Sequence, residues 1–488
     1  MTCDFLYKLL PQLLATVCVS VGSVGLGYDD GWASPAIPKM KQDGNFTASE
    51  EEFQWIASGT PLGTTIGSIF AFLITNKFGR QGTILRVSPF YFVGYLMSAY
   101  GFNSAIVLAG RIVIGFGHIC NVMAAQIYAS EISSPELRGI LATIPSIFNL
   151  SGVLLSYVMG SFMGWRDMTL VGLAFPIAYL FMWFQPESPV WLLQNGHNTK
   201  AQESLQRLRG RKIEISDEYL RIKENCDKEA EKPKFHIREI FKKLFYKPVL
   251  LCIFMMFFQM FGGYGPIIFH SVEILTEVNS PLRGENASII LAAVMVAVAI
   301  MAAFIMDKAG RKVLLSISGF FLIAALCALG AFFYIKEFQG ESAVVSITWL
   351  PVASLFVYYG AYSLGYYEVP FILLGETFPV RYRDVMGSIG YFANSLFVFL
   401  SVKTYADLKH RVGYYGAYWF YAAVLLSGII FVWIFMPETK GKTLEEIEMK
   451  MTRKKGQKAV ASDAESGYDN KGYGLRDGKE KQVVVAKL

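Results

Sequence analysis

Charged side chains inside long apolar runs are where this sequence could do chemistry. The stretch SVGLGYDDGWASP, Ser23 to Pro35, places Asp29 and Asp30 side by side in the first such run. A carboxylate at the middle of a bilayer costs about 3 kcal/mol, so it must face a partner or a water-filled path. Arg111, in AGRIVIGFG, is under the same constraint and should face the interior of a helix bundle. Consecutive helix residues point about 100° apart, so Asp30 cannot share the surroundings of Asp29. The expectation is that Asp30, nearer the outer end, meets water at a cavity mouth and has no coupling role. Glu368, in EVPFILLGE, is a third such acid; it could hydrogen-bond a polyol, attract a cation, or pair with a nearby donor. His118, Asn121 and Gln126 are read as satisfied by neighbouring helices, with cavity lining as their most specific role.

A second pattern recurs along the chain. SEISSPELRG (Ser130 to Gly139) and GETFPVRYRD (Gly375 to Asp384) each set an acid seven residues before an arginine with a proline between, pairing Glu131 with Arg138 and Glu376 with Arg383. KFGRQ, holding Arg80, matches DKAGRK, holding Arg311; PESPVW matches PETKGKTL. Three matched motifs imply duplicated halves. Repeated six-span halves describe a carrier whose two bundles rock about a central site. The six charges could tie the bundles together on the inner side in one state and separate in the other, or simply mark the membrane boundary.

The elements that must position these residues follow from composition. The chain has 488 residues, 53% hydrophobic and 17% charged, with mean hydropathy +0.38, too apolar for a soluble chain of this length. Apolar runs long enough to span a bilayer begin near 12, 54, 83, 105, 140, 168, 248, 286, 313, 347, 386 and 416. They predict an all-α, multi-pass membrane protein of about twelve transmembrane helices in two six-helix repeats. The first run lacks a basic leader and carries two aspartates, so it reads as a retained span. Lys and Arg concentrate in every even-numbered loop and after the last span, which puts both termini in the cytoplasm. That bias also accounts for the net charge of +6 without nucleic acid.

The expected divisions are a first half at 1–193, a linker with short helices at 194–247, a second half at 248–455 and a disordered tail at 456–488. Sequons at Asn45 and Asn286 fall in or beside external loops, where glycosylation is expected; a third at Asn149 lies inside a span. The six cysteines lie in spans or cytoplasmic segments, so no disulfide is expected. No nucleophile motif, phosphate loop or metal-ligand spacing is present, so the sequence suggests neither an enzyme nor a cofactor or metal.

The repeated motifs resemble the sugar porter family of the major facilitator superfamily over about residues 10 to 450, PETKGKTLEEIE (Pro437 to Glu448) being highly specific. WASPAIP, Trp32 to Pro38, looks like an arthropod branch that includes facilitated trehalose transporters. The resemblance implies a major facilitator fold, and places Gln259 and Asn394 at the family's sugar contacts. It also marks departures. Ser146 stands where the family has glutamine, Tyr264 where it has asparagine, Glu368 at the first proline of G-P-x-P-W and Phe371 at its tryptophan. Sites that bind hydroxyls through amides reject analogues strongly, so these changes should alter the substrate or its affinity. Proton-coupled sugar symporters of the family carry an aspartate at Asp29 facing the arginine matched by Arg111. The resemblance therefore leaves two roles for that pair, proton coupling or a permanent ion pair.

The resulting expectation is a sugar transporter, for a hexose or a trehalose-like disaccharide, in the plasma membrane. The alternatives are a proton-coupled carrier of a different small solute and a non-transporting sensor that keeps the fold.

Overall fold

The computed structural model describes residues 3–134, 137–210, 214–230, 243–278, 284–377 and 383–438. In a bilayer every backbone N–H and C=O must be satisfied within the chain, which leaves helices as the economical choice for an apolar sequence. Every regular element among the described residues is helical.

The first half contains α1 (Cys3–Gln42), α2 (Glu50–Phe78), α3 (Arg80–Tyr100), α4 (Ser104–Ile132), α5 (Arg138–Phe162) and α6 (Trp165–Phe184), the last tightening to a 3₁₀ helix over Tyr179–Phe184. Short helices follow: α7 (Pro189–Gln194), then the polar α8 (Asn198–Arg209) and α9 (Ser216–Ala230). In the second half, α10 (Lys243–Gln259) passes through a π turn at Met260–Tyr264 into α11 (Gly265–Phe269) and α12 (Ser271–Glu277). After α13 (Gly284–Ala309) and α14 (Arg311–Gln339), α15 (Trp349–Ala361) passes through a second π turn at Tyr362–Tyr366 into α16 (Val369–Thr377). The final helix, α17 (Arg383–Phe435), bends at Gly413, φ 70°.

Among the described residues nine helices are long and apolar enough to cross a membrane, ten with the pair bent by 58° that contains α15 and α16. At 53 residues, α17 is about 80 Å long, more than twice a hydrocarbon core of about 30 Å, so it makes two crossings on either side of Gly413. The third expected run, now α3, lies outside that set of nine. It opens on Arg80 and carries Arg86, and it packs on α4. With α3 included and α17 counted twice, all twelve expected runs lie on helices.

Local sequence explains where helices start and how closely they pack. Ser49 and Glu52 form a reciprocal capping box at α2, and Asn103 caps Ile106 N–H at α4. Gly59, Gly63 and Gly67 repeat every four residues on α2. A Cβ at Gly63 would lie 2.1 Å from the Ile112 carbonyl oxygen, and one at Gly115 of α4 would lie 2.1 Å from that of Thr60. Only bare backbone permits this contact, the small-residue packing that membranes favour. The halves meet through α2 against α17 and α5 against α13. The linker's described residues include the polar helices α8 and α9 and the start of α10; the tail at 456–488 lies outside the described residues.

Candidate functional site

Between the halves lies a cavity of about 370 Å³, within the usual range for small-molecule sites. All six pocket candidates, Ser146, Gln259, Tyr264, Glu368, Phe371 and Asn394, line it. They arrive from both halves, and the two π turns are what bring Tyr264 and the start of α16 inward. Asn394 Nδ2 donates to Gln259 Oε1 at 3.2 Å, while Gln259 Nε2 donates to the Tyr367 carbonyl at 3.0 Å, so the two amides orient each other. Tyr367 hydroxyl donates to Asn149 Oδ1 at 2.8 Å, a bridge between halves at the level of the cavity. Gln126 also lines the wall.

The adjacent aspartates part company here. Asp29 is fully buried inside the first half. Arg111 Nη1 donates to its Oδ1 and Arg111 Nη2 to its backbone carbonyl at 3.0 Å; Tyr95 hydroxyl donates to Oδ2, and His118 Nε2 lies 2.6 Å from that same oxygen. Tyr91 hydroxyl sits 2.9 Å from His118 Nδ1. A neutral His118 protonated on Nε2 satisfies both contacts, donating to Asp29 and accepting from Tyr91. The Arg111 guanidinium also lies 4.1 Å over the Trp32 ring, whose Nε1 donates to Thr169. Asp30, by contrast, lines the central cavity. This corrects the expectation of a position at an outer mouth: one step around the helix turns the side chain from the packed interior of its own half to the space between halves.

The sequence reading missed His118 and Tyr95 as partners of Asp29, and Tyr91 as the partner of His118. A signal was available, because His118 follows Arg111 by seven residues, two helical turns along one face. It also missed Ser23 in the cavity wall, although Ser23, Leu26 and Asp30 recur at helical spacing.

At the end of the bundle that carries the chain termini, the repeated motifs assemble twice. In the first half, the Glu187 carboxylate accepts from the Arg80 and Gln81 backbone N–H groups at 3.0 and 3.2 Å, and Arg80 Nη2 binds Glu131 at 2.6 Å. In the second, Glu438 accepts from the Arg311 and Lys312 N–H groups, both at 3.2 Å, and Arg311 Nη2 lies 2.9 Å from Glu376. These two ion pairs each lie within a half. Each carboxylate is drawn to the unpaired N–H groups at the start of a helix of its own half. Arg138 and Arg383 open α5 and α17, but their side chains lie outside the described residues.

Among the described residues, further contacts between halves lie at the opposite end. The Val272 N–H donates to Ser34 Oγ at 2.9 Å, Tyr157 hydroxyl donates to the Ile268 carbonyl at 2.7 Å, and Lys39 pairs with Glu285 at 3.3 Å. The sequon residues Asn45 and Asn286 are exposed near this end.

The chain matches the family described as sugar (and other) transporter over residues 15–451. It belongs to that family. Among curated relatives, the facilitated trehalose transporter Tret1 of Apis mellifera ligustica is 35% identical over 441 residues, covering 90% of this chain and 87% of its own length. That of Culex quinquefasciatus is 33% identical over 444 residues, covering 90% and 86%. Among solved structures, the xylose transporter XylE of E. coli in a partially occluded inward-open conformation superposes with TM-score 0.75 at 20% identity, covering 88% of this chain and 99% of that one. The proton:xylose symporter XylE bound to 6-bromo-6-deoxy-D-glucose gives 0.74 at 22%, covering 90% and 99%. The transporter therefore has the major facilitator fold. It is a multi-pass membrane carrier and not an enzyme.

Proposed function

We propose that this transporter carries a sugar of hexose to disaccharide size across the plasma membrane by alternating access, with both termini in the cytoplasm. The observation that carries the reading is the cavity between the halves, with Gln259 and Asn394 locked together on its wall. Amides held by each other present fixed donors and acceptors to hydroxyl groups, which is how a sugar is recognised without charge. The polar bridges at the far end support a state open toward the cytoplasm. Trehalose is the substrate named for the relatives that are 33–35% identical. Basic residues in the even-numbered loops support the orientation.

A second reading, proton-coupled sugar uptake, is favoured by one observation: the buried Asp29 carboxylate is held by both Arg111 and His118. Uptake of labelled glucose and trehalose in cells lacking their own carriers tests both. Saturable uptake that ignores an inward proton gradient and survives Asp29→Asn means facilitated transport; uptake that the gradient drives and Asp29→Asn uncouples means symport. No uptake by protein at the cell surface overturns the sugar assignment.

A further inference from the structure

The cavity wall contains an imbalance of charge. Asp30 and Glu368 both line it, one from each half, and no lysine, arginine or histidine does so among the described residues. Asp30 has no hydrogen-bond or ion-pair partner among them. Arg111 is within electrostatic reach of Asp30 but is already engaged by Asp29 through its carboxylate and backbone oxygens. Glu368 has only the neutral Ser146 within hydrogen-bonding reach. A second polar group on the same wall is also unmatched: Ser23 Oγ has no hydrogen-bond partner although the residue is only 3% exposed. Ser23 lies two turns before Asp30 on the same face of α1.

Carboxylates kept in a membrane-embedded cavity without a fixed counter-cation are expensive unless something that enters supplies positive charge. A neutral sugar supplies only hydroxyls. A sugar with one hydroxyl replaced by a protonated amine supplies the charge and three hydrogen-bond donors, with ring hydroxyls left for the Gln259 and Asn394 amides. We propose that the cavity selects amine-bearing sugars over their neutral counterparts, with Asp30 and Glu368 as the residues that determine this specificity and Ser23 as an additional contact. This rests on the reading of the protein as a sugar carrier and narrows its substrate class.

The test compares glucose with glucosamine, which differ by one hydroxyl exchanged for an amine, using the full chain reconstituted in liposomes at a pH where the amine is protonated. Uptake of each labelled sugar gives a KM. Competition between the unlabelled sugars for the native protein gives a second measure that needs no variant. The expected result is that glucosamine has a KM lower by about tenfold, the worth of one charge-assisted hydrogen bond. Asp30→Asn and Glu368→Gln should each shrink that ratio, measured within one preparation so that differences in folded fraction cancel. Glucose carried as well as glucosamine overturns the inference and leaves the sugar-carrier reading standing. A ratio unchanged in both variants overturns the assignment to these carboxylates. Glucose uptake driven by a proton gradient, with no preference for the amine, gives the charge to protons and also overturns it. If glucose, trehalose and glucosamine are all refused, both readings fall.

Discussion

Glu187 and Glu438 stand in the same relation to their halves. Each caps the start of a helix whose first arginine, Arg80 or Arg311, reaches an acid on a second helix. At mid-height the halves differ. The residue as far ahead of Glu376 as Arg111 is of Glu131 is Phe356, which is 48% exposed, and the position of His118 is taken by Ser363. Where the first half buries an ionic cluster, the second stacks tyrosines beside two π turns: Tyr264 and Tyr362 lie 4.8 Å apart, and Tyr358 donates to the Gly262 carbonyl at 2.9 Å. A π turn is a built-in irregularity that lets a helix bend. Duplication therefore kept the device that braces each half at its end. The middle was free to diverge into one half fixed by charge and one that can flex.

The largest expected effect tests the charged side of that contrast. Arg111→Ala leaves Asp29 buried without its cation and should cost about 3–5 kcal/mol, seen as a steep fall in Tm in detergent. Phe356→Ala, on an exposed face, should cost less than about 1 kcal/mol. Equal losses would mean that the two middles do not differ in the way described. Next comes the flexible side. Gly263 has φ 98°, a region a side chain enters only under strain, so Gly263→Ala should destabilise by about 1–3 kcal/mol and slow initial uptake; unchanged uptake would remove the π turn from the transport motion.

The twin braces predict a matched pair. Glu187→Gln and Glu438→Gln should each cost about 0.5–2 kcal/mol, like the loss of a helix cap, and by similar amounts. A large disparity in Tm would show that one brace carries more than its twin. The smallest effect concerns pH. Asp43, in the turn after α1, accepts from Asn45 N–H at 3.0 Å and Trp165 Nε1 at 2.9 Å, with Arg166 nearby, and these hold its carboxyl below the usual range. A depressed folded pKa contributes stability that is present above the unfolded value of about 3.9 and is lost as pH falls through the folded one. Asp43→Asn should flatten only that acid limb of the Tm profile. A native protein already as flat as the variant would contradict it.

Much of the scaffold was legible because it is written in long, redundant signals. Twelve apolar runs need no side-chain geometry, and the motifs around Glu131 and Glu376 announce the duplication. The candidates Ser146, Gln259, Tyr264, Glu368, Phe371 and Asn394 came from the family pattern and sit around one cavity. What stayed hidden depended on rotation about a helix axis. Asp29 and Asp30 are neighbours in sequence, and only the seating of α1 against α5 and α4 decides which faces the packed interior and which faces the cavity. The partners of the repeated charges were equally hidden. Repeated acid-to-arginine spacing says that charges recur, and says nothing about whether each pairs with its own half or the other.

The Lys39–Glu285 pair is partly exposed, with side chains 26% and 33% accessible. Such a pair contributes about 0.2–1 kcal/mol and is screened by salt. Unlike the Arg80–Glu131 brace, it joins parts that must separate when the cavity turns to face the other side. The resting balance between the two orientations therefore depends on the ionic strength of the solution on that one side: screening the pair favours release by a factor of about 1.5 to 5. Through that latch, the salt content of the solution on that side shifts how often the empty carrier faces it.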